Sequence, residues 1–129
     1  MIIRPLRLEL TDEERSFFKS TSHTRYQFTI GKDYTVYAME FVPSSVTDFT
    51  LYRVVTDFNA FVPAPACLFE IVDPRVSSYW RITHNRKNFG VALEPPEFID
   101  DPGLSEAILD RDPQALTIFR AIRMRMDAE

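Results

Sequence analysis

One stretch of this chain, PAPACLFEIVDPRVSSYW (63–80), gathers several residue types that could do chemistry. It holds the only cysteine, Cys67, the only tryptophan, Trp80, and the carboxylates Glu70 and Asp73. A nucleophilic cysteine needs a base and an electropositive setting. Cys67 instead has Ala66, Leu68 and Phe69 as neighbours, which predicts a buried thiol acting as a small hydrophobe. Glu70 and Asp73 are three positions apart, so a strand would place them on opposite faces. Glu70 shares its face with Leu68 and Val72, and Glu40 shares one with Val36 and Ala38. If both turn inward they need partners such as Arg53 or Arg81. A structural ion pair or a solvated edge is the expected outcome, with a glycosidase-like acid–base pair as the alternative.

Other catalytic sets are missing their parts. His23 and His84 sit in polar segments, TSHTR and THNRK, without a neighbouring cysteine or second histidine. No metal centre is therefore expected. The three glycines, Gly31, Gly90 and Gly103, are scattered. A phosphate-cradling loop needs them clustered, so no Walker or Rossmann loop is present and no nucleotide cofactor is expected. The chain is expected to be a non-enzyme.

Charge carries more information. The net charge is −4, which argues against general nucleic-acid binding. Between Val91 and Asp112, however, Glu94, Glu97, Asp100, Asp101, Glu106, Asp110 and Asp112 face a single arginine, Arg111. Just before them, Arg75, Arg81, Arg86 and Lys87 form a basic stretch. The acidic segment is either a solvated connector or a surface for a basic partner. In the second case Phe98 and Ile99 are its expected apolar anchors.

The elements that position these residues belong to one expected domain, 1–129. That length, with 45% hydrophobic and 13% aromatic residues, suffices for one core and excludes intrinsic disorder. A lone cysteine asks for no oxidising compartment, and no apolar run has the length of a membrane span. The N-terminal stretch lacks signal-peptide character, so a soluble cytoplasmic protein without membrane partners is expected.

Thr11 followed by Glu14 is a capping box that predicts a short helix near 12–19. Alternation predicts strands at RYQFTI (25–30) and YTVYAMEFV (34–42), and β-branched and aromatic residues predict a third at FTLYRVV (49–55). TDFNAFVPAPA reads as a proline-rich loop. CLFEIV and SYWRIT read as a core hairpin closed at DPRVS, with Phe69, Ile71, Tyr79 and Trp80 packing inward, and FGVAL as a last strand. EPPEFIDDPG reads as a rigid connector and SEAILD (105–110) as a short helix. Asp112-Pro113 starts a terminal helix whose apolar stripe includes Ala115, Phe119, Ile122 and Met126. Strands first and helices last predict an α+β fold, a small strongly bent antiparallel sheet or barrel with a short N-terminal helix and C-terminal helices.

GKDYTVY leading into a strand, followed by LFEIVD and SSYW, resembles small bacterial immunity proteins, partners of polymorphic or contact-dependent growth inhibition toxins. The resemblance covers about residues 31–83, on Gly31, Lys32, Tyr34 and Val36, then Leu68 to Asp73, then Ser78 and Trp80. It implies a compact β-rich domain like a Src-homology-3 barrel, no catalytic set, and a cognate toxin domain as partner. Toxins that attack nucleic acid present basic working surfaces. The expected partner-binding face is therefore Glu94, Glu97, Phe98, Asp100, Asp101, Glu106 and Asp110. The alternative is a small regulatory or ligand-binding barrel with a pocket lined by Tyr26, Tyr34, Tyr37, Tyr52 and Trp80.

Overall fold

Every buried aromatic ring in this chain has to find a covered face, and two sheets and a helical layer provide them. The structure, a computed structural model, describes residues 1–43, 49–85 and 89–129. Strand β1 (Ile2–Pro5) lies between β2 (Tyr34–Thr35) and β6 (Phe69–Asp73) in a three-stranded antiparallel sheet. A five-stranded antiparallel sheet has the order β5-β4-β3-β8-β7. Its strands are β3 (Ala38–Val42), β4 (Phe49–Val55), β5 (Phe61–Pro65), β7 (Arg81–Asn85) and β8 (Gly90–Glu94). Helix α1 (Asp12–Phe17) is followed much later by α2 (Pro96–Asp100), α3 (Leu104–Leu109) and α4 (Pro113–Asp127). The architecture is α+β with two open sheets. The expected barrel does not form, because neither sheet closes on itself.

The larger sheet is the middle layer. Tyr52 and Phe61 point to its opposite faces, since Tyr52 pairs with Ala64 while Phe61 pairs with Val55. Tyr52 meets Phe69 of the small sheet at 6.0 Å between ring centroids, and Phe28 meets Phe69 at 5.4 Å. On the other face Phe61 meets Phe119 of α4 at 4.6 Å and Phe98 of α2 at 5.6 Å. One buried cluster joins Ile3, Val54 and Leu68 to Leu104 and Ile122.

Local signals form the helices as expected. Thr11 and Glu14 make the reciprocal capping box, with Thr11 Oγ1 accepting from the Glu14 amide at 3.1 Å and Glu14 accepting from the Thr11 amide at 2.8 Å. Asp112 Oδ2 accepts from the Ala115 amide at 2.9 Å, and Pro113 opens α4. The buried face of α4 is Ala115, Phe119, Ile122 and Met126.

Four strand expectations are corrected. RYQFTI joins no ladder: the Tyr26 amide bonds the Leu8 carbonyl, and the buried Phe28 ring holds the segment down. Residues 34–42 form two strands in different sheets. Val36, Tyr37 and Ala38 are buried in succession, which breaks the two-residue alternation where the chain crosses between layers. The proline-rich FVPAP is strand β5, tolerated because an edge strand can leave the missing proline N–H on its solvent side. Finally, β6 and β7 are not a hairpin, since β6 pairs with β1 and β7 with β8. Ile71 and Tyr79 are consequently exposed, whereas Phe69 and Trp80 are buried. The connector EPPEFIDDPG also contains α2.

Phe119 touches three rings, at 4.6 Å (Phe61 of β5), 5.7 Å (Tyr37 in the β2–β3 link) and 6.4 Å (Phe98 of α2). Replacing a buried phenylalanine by alanine costs about 3–5 kcal/mol through lost transfer energy and a cavity. Phe119→Ala should therefore lower stability by an amount in that range, read as a lower denaturant midpoint. A loss below about 1 kcal/mol would show that the helical layer is not anchored here.

Candidate functional site

The acidic segment is sorted by the fold into structural and free carboxylates. Pro95 and Pro96 start α2, and its five residues turn Phe98 inward. Phe98 is 6% exposed and stacks on Phe61, so it is a core residue and not the surface anchor expected of it. Ile99, the second expected anchor, is only partly exposed.

Glu97 is likewise committed. It binds the Arg125 guanidinium through both carboxylate oxygens, with Oε2 to Nη2 at 2.7 Å, and so clasps α2 to α4. That hydrogen bonding holds the Glu97 carboxyl below its ordinary range. Arg125 also lies 4.6 Å above the Tyr79 ring. Glu94, at the end of β8, is only partly exposed. Its carboxyl is raised by burial and then by the charge of Glu40, with Arg53 opposing. Asp112 is the α4 cap. Glu97 and Asp112 thus serve the fold, and Glu94 is partly withdrawn from solvent.

The remaining four are Asp100, Asp101, Glu106 and Asp110. All are exposed, and among the described residues none takes part in an ion pair. Asp101 Oδ1 accepts from the Gly103 amide at 3.1 Å, which shapes the α2–α3 turn. Within α3, Leu104 and Ile108 occupy the inner face. Leu109 falls outside that stripe and is 59% exposed, beside Asp110 and three positions from Glu106. The signal for this was available, since i, i+4 spacing of Leu104 and Ile108 leaves Leu109 unburied.

Residues singled out for catalysis are dispersed. Glu40 accepts from Arg53 Nε and Nη2 at 3.1 and 3.0 Å, the structural ion pair expected of it. Glu70 is exposed on the other sheet, 3.7 Å from Arg4. Both histidines are exposed, and no group of three or more His, Cys, Asp or Glu among the described residues is arranged to hold a metal. Of the basic stretch, Arg81 is exposed, Arg75 pairs with Asp73 at 2.7 Å, and Arg86 and Lys87 lie outside the described residues. Tyr34, Tyr37, Tyr52 and Trp80 belong to the buried core cluster; Tyr34 and Tyr37 also border one cleft and Tyr26 another, so the five do not line a single pocket. Asp57 was missed by sequence reasoning. It accepts from Thr29 Oγ1 (2.6 Å), Lys32 Nζ (2.9 Å) and Tyr34 Oη (2.8 Å), which lowers its carboxyl to about 2.

Cys67 is in a short 3-10 turn and is half-buried, not fully buried as expected. It lines an apolar cleft of about 420 Å³ together with Leu10, Phe17, Phe18, Tyr26 and Phe49. Burial, and then the adjacent Glu14 carboxylate, push the thiol up to about 11. No helix among the described residues is long and apolar enough to cross a membrane. Compared with protein families, curated proteins and solved structures, the chain matches none.

Two measurements follow. Because the thiol is held protonated well above its ordinary value of 9.0, iodoacetamide should label native Cys67 slowly at pH 8 and quickly after denaturation. The native rate should climb towards pH 11, and equal native and denatured rates at pH 8 would contradict this environment. Glu14 gives the second. Its bidentate bond to Arg7, ahead of the capping bonds, lowers its carboxyl from 4.5 to about 2. A depressed carboxyl contributes stability that is present above pH 4.5 and lost as pH falls towards about 2. Glu14→Gln should lower stability at pH 7 and flatten the acid limb across that window. An unchanged limb would count against the pairing.

Proposed function

We propose that the protein is an immunity protein, which binds a cognate bacterial toxin domain and neutralises it without catalysis of its own. The supporting observation is the α2–α3 segment, where Asp100, Asp101, Glu106 and Asp110 are exposed and lack cationic partners among the described residues, and where the exposed Leu109 sits next to Asp110 and three positions from Glu106. Enzymes that act on nucleic acid carry basic surfaces for phosphate. Four carboxylates in one face can occupy such a surface in place of phosphate and steer the encounter.

Leu109 supplies what charge cannot. An apolar side chain ringed by polar groups becomes the desolvated centre of an interface, where most of the binding energy concentrates. Glu97 and Phe98 are committed to packing α2 against α4 and β5, and Glu94 is only partly exposed, so the proposed contact surface is drawn without them. A cytoplasmic location belongs to the same proposal, since the toxin would be met inside the cell that carries the immunity protein.

A second reading draws on the apolar cleft beside Cys67. Its volume and aromatic lining suit a small ligand, as in a regulatory or ligand-binding domain. The toxin-binding reading is preferred because it accounts for the unpaired charge.

Reversal of Asp100 and Asp101 to lysine tests it. Association with the toxin domain that co-purifies with the chain should slow by about tenfold or more at low salt, and its salt dependence should flatten. Leu109→Ala should act mainly on the dissociation rate. Thermal unfolding serves as the control, since none of these side chains is buried. If the reversed protein associates and protects as well as the original, the acidic face is only solvation.

A further inference from the structure

Past the α3–α4 corner the charge changes sign. Arg111 in the turn and Arg120 and Arg123 on α4 line a cleft of about 350 Å³, with Asn59 of the β4–β5 turn on its far side. Phe119 and Met124 give the cleft an apolar lining, and Met124 is 71% exposed. Three cations line this one cleft in a molecule whose net charge is −4.

The arginines are differently employed. Arg123 donates to Asn59 Oδ1 at 3.2 Å and lies 6.0 Å from the centre of the Tyr37 ring, so its head is pre-placed. Arg111 and Arg120 form no ion pair among the described residues. The one carboxylate in the lining, Asp127, accepts from Tyr37 Oη at 2.8 Å. Two of the four described non-glycine residues with positive φ, Asn59 (φ 61°) and Arg111 (φ 63°), border this cleft. Asparagine tolerates that conformation. Arginine has no comparable local hydrogen bond to favour it, so the fold holds Arg111 there against its preference.

We propose that this cleft binds a small organic anion, a phosphate or carboxylate carried on an apolar group of about the size of one aromatic ring. The guanidinium fork matches both oxyanions in geometry. The apolar lining suits the attached group, and the volume lies at the small end of ligand pockets. This site does not depend on the toxin-binding reading, since it uses none of the carboxylates of the α2–α3 face.

The test titrates the full chain with phenyl phosphate, benzoate, inorganic phosphate and phenol, followed by calorimetry at low salt. Phenyl phosphate or benzoate should saturate one site at least about tenfold more tightly than inorganic phosphate, while phenol should not bind, as expected if charge and apolar contact both contribute. Which of the two binds more tightly identifies the oxyanion. Arg120→Gln should weaken that binding by about tenfold, comparable to the loss of one charge-assisted hydrogen bond. Its side chain is exposed, so the variant should melt with the original chain. Arg123→Gln should weaken binding similarly. Failure of both aromatic anions to saturate, affinity no greater than for inorganic phosphate, or binding unchanged in Arg120→Gln would overturn the proposal.

Discussion

The aromatic cluster of Tyr37, Phe61, Phe98 and Phe119 is the constraint on which the surface depends. Phe61 comes from the outermost strand of the larger sheet and meets a ring from α2 and a ring from α4. Edge-to-face and offset contacts between rings add to the gain from burial alone and restrict the angle at which elements meet. Seating Phe98 fixes the short helix α2, which is too short to be stable in isolation. Once α2 is fixed, the directions of Glu97, Asp100 and Asp101 follow. The acidic face is thus a product of core packing beneath it.

Polar clasps complete what the rings begin. The Glu97–Arg125 pair ties α2 to α4, and Tyr37 joins the same layer by donating from Oη to Asp127 near the end of α4. Burial first, and then the Asp127 carboxylate, push the Tyr37 phenol up to about 12, so it stays a donor at any physiological pH. Trp80 Nε1 donates to the Tyr37 carbonyl at 2.8 Å and brings the start of β7 to the same point. The Tyr37 and Trp80 bonds satisfy polar atoms that burial would otherwise penalise by about 1–3 kcal/mol each, whereas Arg125 Nε is buried without a hydrogen-bond partner among the described residues. These clasps are consequences of tight packing as much as causes of it.

What could be read in advance was local. The capping box of Thr11 and Glu14 and the Asp112-Pro113 start of α4 lie within four residues of chain and need no tertiary information. Strands β4 and β8 were legible from composition and alternation. Pairing was not legible. LFEIVD and YWRIT look like two halves of a hairpin, yet the first pairs with β1, distant in sequence, and the second with the strand that follows it, β8. The split of residues 34–42 between sheets leaves only the run Val36-Tyr37-Ala38 as a trace. Phe98 was misplaced for a similar reason. Its acidic, proline-rich neighbours resemble a surface connector, and only the rings of Phe61 and Phe119 explain why it turns inward.

The same sorting explains why the charge count of a segment is a poor guide to its surface. Of the seven acids between Val91 and Asp112, burial holds one, a salt bridge a second and a helix cap a third. Each of these is determined by geometry that composition does not carry. The four left over sit at the end of α2, on α3 and at its C-cap, two short helices joined by a tight turn at Asp101 and Gly103. On α4 the inward stripe of Ala115, Phe119, Ile122 and Met126 leaves Arg120 exposed and Arg123 at the border of the buried face. Opposite charges therefore end up on either side of one helical corner, close in sequence at Asp110 and Arg111. A partner that met both sides at once would have to be polarised in the opposite sense, and such a pattern discriminates between partners through repulsion as well as attraction.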